Sequence, residues 1–272
     1  MRFGLGPLAL VLLGGCPAES PSRTDLGPMA DGVQVGDGPR ADHAVKDGVV
    51  PADGGLPAHN VESPLGTGLT GIFKLWQAAF GAGSAHVVRV MGSQAASTWV
   101  SQQVLTHDQA SQQTDALAIA PYVGGYLGGP SEQARVKAMS LTQLMTELDQ
   151  AALAKSTTWI QDQAAVALQY KVKLVAYEGG QHLAGNGGVE NDATINKLFD
   201  DANRDKAMGA VYAKYLAAWK QAKGGLFVHF VNCGAYSKWE RWGALEYVQQ
   251  PRAAAPKFDA LQTFIETTPA WW

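Results

Sequence analysis

Cysteine is almost absent from this sequence: of 272 residues only Cys16 and Cys233 are cysteines. A fold stapled by several disulfides is therefore excluded. An excess of charge of one sign is missing too. Twenty-one basic residues stand against 24 acidic ones, a formal net charge of −3, which is no footprint for nucleic-acid binding. No Gly-x-Gly-x-x-Gly follows the first strand-like segment and no Walker sequence occurs, so a nucleotide cradle has no support. There is no Gly-x-Ser-x-Gly elbow for a serine nucleophile. Asp-Gly pairs recur early in the chain, but the Asp-x-Asp-x-Asp-Gly order with a closing Glu is absent, which removes a calcium loop. Long apolar runs are also lacking, and the one at the amino terminus is too short to span a bilayer.

That first run, "MRFGLGPLALVLLGGC", carries one basic residue, a short apolar stretch and small residues before Cys16. This is the anatomy of an export signal. Its ending, Leu13-Gly14-Gly15-Cys16, looks like a bacterial lipobox, so residues 1–16 are expected to be a signal with Cys16 lipidated. The protein is then an exported lipoprotein anchored to a membrane of the cell envelope. On that expectation no intramolecular disulfide forms, and Cys233 remains a small buried apolar residue with a thiol. Residues 17–65 are rich in Gly, Pro, Asp and Ala and poor in aromatics. They are expected to be a disordered tether that holds the folded part away from the membrane.

From residue 66 to 272 helical and strand-like patterns alternate. Ile72 to Phe80 reads as a short helix, "AHVVRVMGSQ" as a strand, and Ala95 to Leu105 as a helix. Ala116 to Ala120 is a second strand stopped by Pro121. Ser131 to Leu153 and Thr158 to Tyr170 carry helical spacing. "KLVAYEGG" is a third strand, Asn203 to Lys223 a helix with an aromatic core stripe, "LFVHFVN" a fourth strand, and Phe258 to Ile265 a closing helix. Nearly continuous apolar strands between helices predict an α/β fold with a parallel sheet. Each strand ends in polar or aromatic residues: Ser93 and Gln94; Tyr122; Glu178, Gln181 and His182; then Asn232 followed by Trp239 and Trp242. In a (β/α) barrel that end carries the active site.

The runs "VVRVMGSQAAS", "DALAIAPYVGG", "LVAYEGGQHL" and "VHFVNCGAYSKWERWGALEYV", in that order, resemble the second half of a group of bacterial TIM-barrel proteins similar to the retaining glycoside hydrolases. The Tyr-Glu-Gly-Gly-Gln-His run is the most specific piece. The resemblance implies a partial (β/α) TIM-type barrel, with about four parallel strands corresponding to strands 5–8. By position Glu178 matches the nucleophile at the end of the seventh strand and Tyr122 the sixth-strand tyrosine. Trp239 or Trp242 matches the aromatic sugar platform. Gln94, Gln181, His182 and Asn232 would bond sugar hydroxyls or orient Glu178. The implied partner is a carbohydrate, and no cofactor or metal is implied.

Retaining hydrolysis needs a second carboxyl about 5 Å from the nucleophile. In the resembled proteins it is the Glu of an Asn-Glu pair after the fourth strand, and no such pair occurs here. Four missing βα units would need on the order of 100 residues ahead of Ile72, more than the chain offers beyond its tether. Glu190 and Glu240 are the only substitutes near the right face. A four-strand piece leaves open edges and an uncovered face. The expectation is a chain that pairs with itself or with another half, is a truncated product of a longer hydrolase, or serves as a surface glycan-binding or scaffold protein through Trp239, Trp242, Tyr122 and Tyr126. The competing bland reading of Glu178 is a strand-end carboxylate satisfied by backbone N–H groups. His229, alternating within an apolar strand, reads as a core histidine.

Overall fold

The structure, a computed structural model, describes residues 64–81 and 87–272, with side chains from residue 68 onward. The expected export signal, Cys16 and most of the tether lie outside the described residues. Among those described, no helix is long and apolar enough to cross a membrane.

The chain forms an α/β fold around three parallel strands in the order β1 (Val90–Gly92), β2 (Ala116–Ile119), β3 (Lys173–Ala176). Val90 pairs with Ala116, and Ala116 in turn with Lys173. This register sorts the side chains by parity. Met91, Leu117, Ile119, Leu174 and Ala176 face one way and are at most 4% exposed. They join one core with residues of the helices α2 (Thr98–Thr106), α5 (Leu153–Gln169) and α7 (Lys206–Gln221). On the opposite parity the central strand is buried, with Ala116 2% and Ala118 1% exposed, while Val90 at one edge is 40% exposed and Tyr177 beyond β3 50%. Sequential order and right-handed crossovers place successive helices on the same face of a parallel sheet. Accordingly α5 packs on β3 and touches both α2 and α7, while α7 packs on α8 (Pro256–Thr267).

The fourth expected strand is only partly formed. Leu226 accepts from the Ala176 N–H, and the Val228 N–H donates to the Ala176 carbonyl at 3.0 Å. That makes a single parallel bridge, Ala176 to Phe227, beside β3. Beyond it the Phe230 N–H donates to the Gly179 carbonyl, and Val231 and Asn232 bond the backbone of Trp242, Ala244 and Leu245, without forming a regular strand. The first strand is also shorter than expected, three residues of the ten in "AHVVRVMGSQ".

Helix boundaries follow caps that hydrophobic spacing does not reveal. Instead of one helix from Asn203 there are two, α6 (Ala193–Arg204) and α7. Asp205 leaves the helical conformation, ends α6, and accepts from the Ala207 N–H to start α7. Asp192 caps α6 in the same way, and α6 itself was not expected from the sequence. Between β2 and β3, α3 (Gln133–Lys137) stops at Ala138, and Ser140 with Gln143 forms a capping box for α4 (Leu141–Glu147). One π-type turn then joins α4 directly to α5. The amino-terminal helix α1 starts at Pro64, eight residues before the expected Ile72. Cys233 is buried with Leu245 and Ala255. It is not a free thiol, so the expectation of a lone thiol there is not met.

Candidate functional site

The loops at the carboxyl ends of the strands are held from below by buried polar side chains of the helices. After β1, Gln163 of α5 donates to the carbonyls of Gln94 (2.8 Å) and Ala95 (3.1 Å). Its own oxygen accepts from the Ser101 hydroxyl at 2.6 Å, and Ser101 shares a 2.7 Å bond with Ser93. After β2, the Pro121 carbonyl accepts from the hydroxyls of Ser156 (2.8 Å) and Tyr215 (2.7 Å). Pro121 fixes where Tyr122 starts. A buried carbonyl left without a donor costs about 1–3 kcal/mol, so these bonds specify the loop conformations.

The third loop contains the Glu-Gly-Gly-Gln-His run. Ile119 pairs with Ala176, and pairing resumes with Val123 beside Gln181. Four steps along β2 are thus matched by five along β3. The extra residue bends the backbone out of the ladder at Tyr177 to Gly180 and carries Glu178 with it. The two glycines are there for space. A Cβ on Gly179 would lie 2.8 Å from both Phe227 Cζ and the Tyr215 hydroxyl. Gly180 has φ +148°, and a Cβ there would come within 2.9 Å of the Tyr212 hydroxyl.

Glu178 stands beside Tyr122. Burial first, and this carboxylate second, push the Tyr122 phenol far above its ordinary pKa, so it remains a neutral donor. His182 meets Tyr122 edge-on at 5.3 Å between ring centres and Trp242 at 5.5 Å. Desolvation lowers the His182 pKa and outweighs the opposing pull of Glu178; the imidazole is neutral at pH 7. Three side-chain atoms at this end of the sheet are buried without a partner: His182 Nδ1, Asn232 Oδ1 and Trp242 Nε1. Unsatisfied buried groups are uncommon and mark places where a water or ligand is accommodated.

Next to this cluster lies a cleft of about 530 Å³ across the ends of β1, β2 and β3 and the start of α5. Its walls include Tyr122, Tyr126, Trp159 and Tyr177, with Gln94 and His182 among the polar groups. The size falls within the usual range for small-ligand sites. Of the residues expected from the sequence, Gln94, Tyr122 and His182 therefore share this cleft. Glu178 and Trp242 adjoin it through Tyr122 and His182.

Other expected residues are placed differently. Gln181 is 1% exposed and spent internally, donating to the Arg241 carbonyl at 2.7 Å and accepting from the Leu183 N–H. It orders the loop and has no free group for a sugar. Trp239 is 60% exposed under the Lys238 ammonium and does not line the cleft. Glu190 closes its own turn by accepting from the Gly188 N–H. Glu240 is exposed on the 237–240 turn. His229 is fully buried and bonded to the Tyr212 hydroxyl at 3.1 Å. Among the described residues no three His, Cys, Asp or Glu side chains converge as a metal site.

The cleft also contains residues the sequence reading passed over. Lys155 and Trp159, one turn apart on α5, form its far wall together with Tyr126. Their spacing on a helix reads as ordinary surface, and only the packing of α5 against the β1 and β2 loops brings them to the site. No protein-family model matches the chain, and neither a curated protein nor a solved structure is similar to it.

Proposed function

We propose that this protein binds a saccharide in the cleft at the carboxyl end of the sheet. The observation that carries the reading is the cleft's lining. Four aromatic side chains, Tyr122, Tyr126, Trp159 and Tyr177, surround it, and polar groups of Ser93, Gln94 and His182 lie between them. Aromatic faces stack on the apolar faces of sugar rings, and the polar groups between them bond hydroxyls. The sheet supports the finer fold reading as well. Parallel strands in sequential order, helices on one face and an apolar opposite face are what a half of a singly wound (β/α) barrel would have. Carried on an export signal, such a domain would act as a glycan-binding protein of the cell envelope. Trp242 would serve behind His182 rather than as an open platform.

A catalytic reading has one specific observation behind it. Glu178 lies against a tyrosine that remains protonated, an arrangement in which the phenol can donate to the carboxylate and aim it. Retaining hydrolysis would break the glycosidic C–O bond as Glu178 attacks the anomeric carbon, with a second carboxyl protonating the leaving oxygen. Of the two candidates in this chain, Glu190 closes its own turn and Glu240 is exposed on the 237–240 turn. A second half-barrel or another copy would have to provide the acid.

Thermal melts of the full chain against a panel of oligosaccharides test the binding reading. At a concentration 100 times its Kd, a ligand specific to the native state adds about 2.7 kcal/mol. For a domain of this size the midpoint then rises by about 5–10 °C. Trp159→Ala should erase that rise without lowering the unliganded midpoint by more than a few degrees. No shift with any glycan, or an unchanged shift in Trp159→Ala, would refute the assignment. Glu178→Gln separates the two readings: binding persists in both, while any hydrolytic activity survives only if Glu178 is not the nucleophile.

A further inference from the structure

The cleft has one formal charge in its lining, and it is positive. Burial leaves His182 neutral at pH 7, and the remaining lining residues other than Lys155 are uncharged. The Lys155 ammonium is 5.0 Å from the Tyr126 ring centre and 5.5 Å from that of Trp159. It therefore stands between two aromatic walls of the site. Among the described residues no carboxylate pairs with it and no acceptor takes its hydrogen bonds.

The carboxylates around it are engaged elsewhere. Glu147 accepts from the Tyr126 hydroxyl at 2.7 Å and pairs with Arg135 at 3.3 Å. Asp149 is held by Lys214 at 2.6 Å. The Tyr126–Glu147–Arg135 chain has a further effect: it fixes the ring on which Lys155 rests, so the ammonium is aimed into the cleft. Lys137, Lys197 and Lys214, by contrast, sit in ion pairs, where their charge is already matched.

An unpaired cation flanked by aromatic faces selects among saccharides. Neutral sugars stack on the rings and leave the ammonium's three donors to water. A sugar with an anionic substituent stacks in the same way and also pairs with Lys155, and bonds to charged groups are the stronger ones. From this geometry we propose that the preferred ligand is an acidic saccharide, with a ring carboxylate or sulfate on Lys155 and its sugar rings against Trp159 and Tyr122. The inference rests on the saccharide reading above and names the class of sugar.

Titration calorimetry on the full chain tests it with four probes: an oligogalacturonate tetramer, its methyl ester, a sulfated carrageenan tetrasaccharide, and neutral cellotetraose. The two anionic sugars, or one of them, should bind at least tenfold more tightly than the ester and cellotetraose. Lys155→Met should remove that ratio. Lys155→Arg should keep it. The Lys155 head group is exposed, so neither variant threatens the fold. Equal binding of charged and neutral sugars, or a ratio that survives in Lys155→Met, would overturn the inference and leave the saccharide reading standing. If no probe binds, both fall. Tight binding of the carboxylated tetramer alone, or of the sulfated one alone, identifies which anion Lys155 takes.

Discussion

His229 should make the stability of this protein depend on pH well above the range where carboxylates titrate. Its ring is fully buried, and desolvation, reinforced by the neighbouring Lys257 charge, lowers its pKa to about 3. The groups around it define the neutral form. The Gln181 N–H donates to the Tyr212 hydroxyl at 3.1 Å, so that hydroxyl donates in turn to Nε2. An unfolded histidine titrates near 6.5. Between that value and 3 the unfolded chain binds a proton that the folded chain refuses, so stability falls as pH is lowered through this window. From pH 6.5 to 4.5 the loss is two pKa units, about 2.7 kcal/mol at 1.36 kcal/mol per unit. Carboxylates and other shifted groups contribute to the slope as well, so the share of His229 is read as a difference between two proteins. Urea unfolding of the full chain at pH 7.0 and 4.5 measures it, for the wild type and for His229→Leu. The variant begins less stable, because Tyr212 loses its acceptor, but it should lose about 2–3 kcal/mol less on acidification. Equal losses in the two proteins would show that the folded histidine accepts its proton, and the burial argument would be wrong.

Three further outcomes follow from close packing and buried polar groups. Gly180→Ala should destabilise by about 2–4 kcal/mol, since it combines a backbone conformation unfavourable to side chains with a 2.9 Å approach to the Tyr212 hydroxyl; chemical denaturation reads it, and a loss below about 1 kcal/mol would contradict the geometry. Gln163→Leu takes one donor from each of the Gln94 and Ala95 carbonyls and the acceptor from the Ser101 hydroxyl and should cost about 2–4 kcal/mol. It should also speed amide exchange in the β1 loop, and unchanged exchange there would mean the loop is held by something else. Val90→Lys places a charge at an exposed edge position of β1 and should change the stability of dilute protein by less than about 1 kcal/mol; a loss of several kcal/mol would show that this position is covered in solution.

The alternation of elements was legible in the residues because it depends on local pattern. The apolar runs at Ala116 and Leu174 form strands, and the aromatic stripe of Met208, Val211, Tyr212, Tyr215 and Trp219 is the buried face of α7. The missed boundary at Asp205 had a readable signal, an N-cap residue in front of a helical run, which the longer periodicity concealed. The partial fourth strand had none. "LFVHFVN" has full strand character in composition, yet its backbone divides its bonds between Ala176 of β3 and the 242–245 segment.

The site divides the same way. Glu178, Tyr122 and His182 come together because all three follow strands of one parallel sheet, and strand order is enough to place them at one end. Gln181 looks the same in sequence as its neighbour His182, yet its amide closes a buried loop while the His182 ring reaches the cleft. Lys155 and Trp159 belong to the site only because Gln163 and Ser156, on the same helix, bond the β1 and β2 loops and draw α5 under them. Local periodicity, strand order and the residues at strand ends were therefore determined by the sequence itself, through short-range sterics and hydrophobic patterning. Which polar side chains are spent inside the fold and which face the cleft was decided only by tertiary packing, because a hydrogen bond between residues about 70 positions apart exists only once the helices have docked.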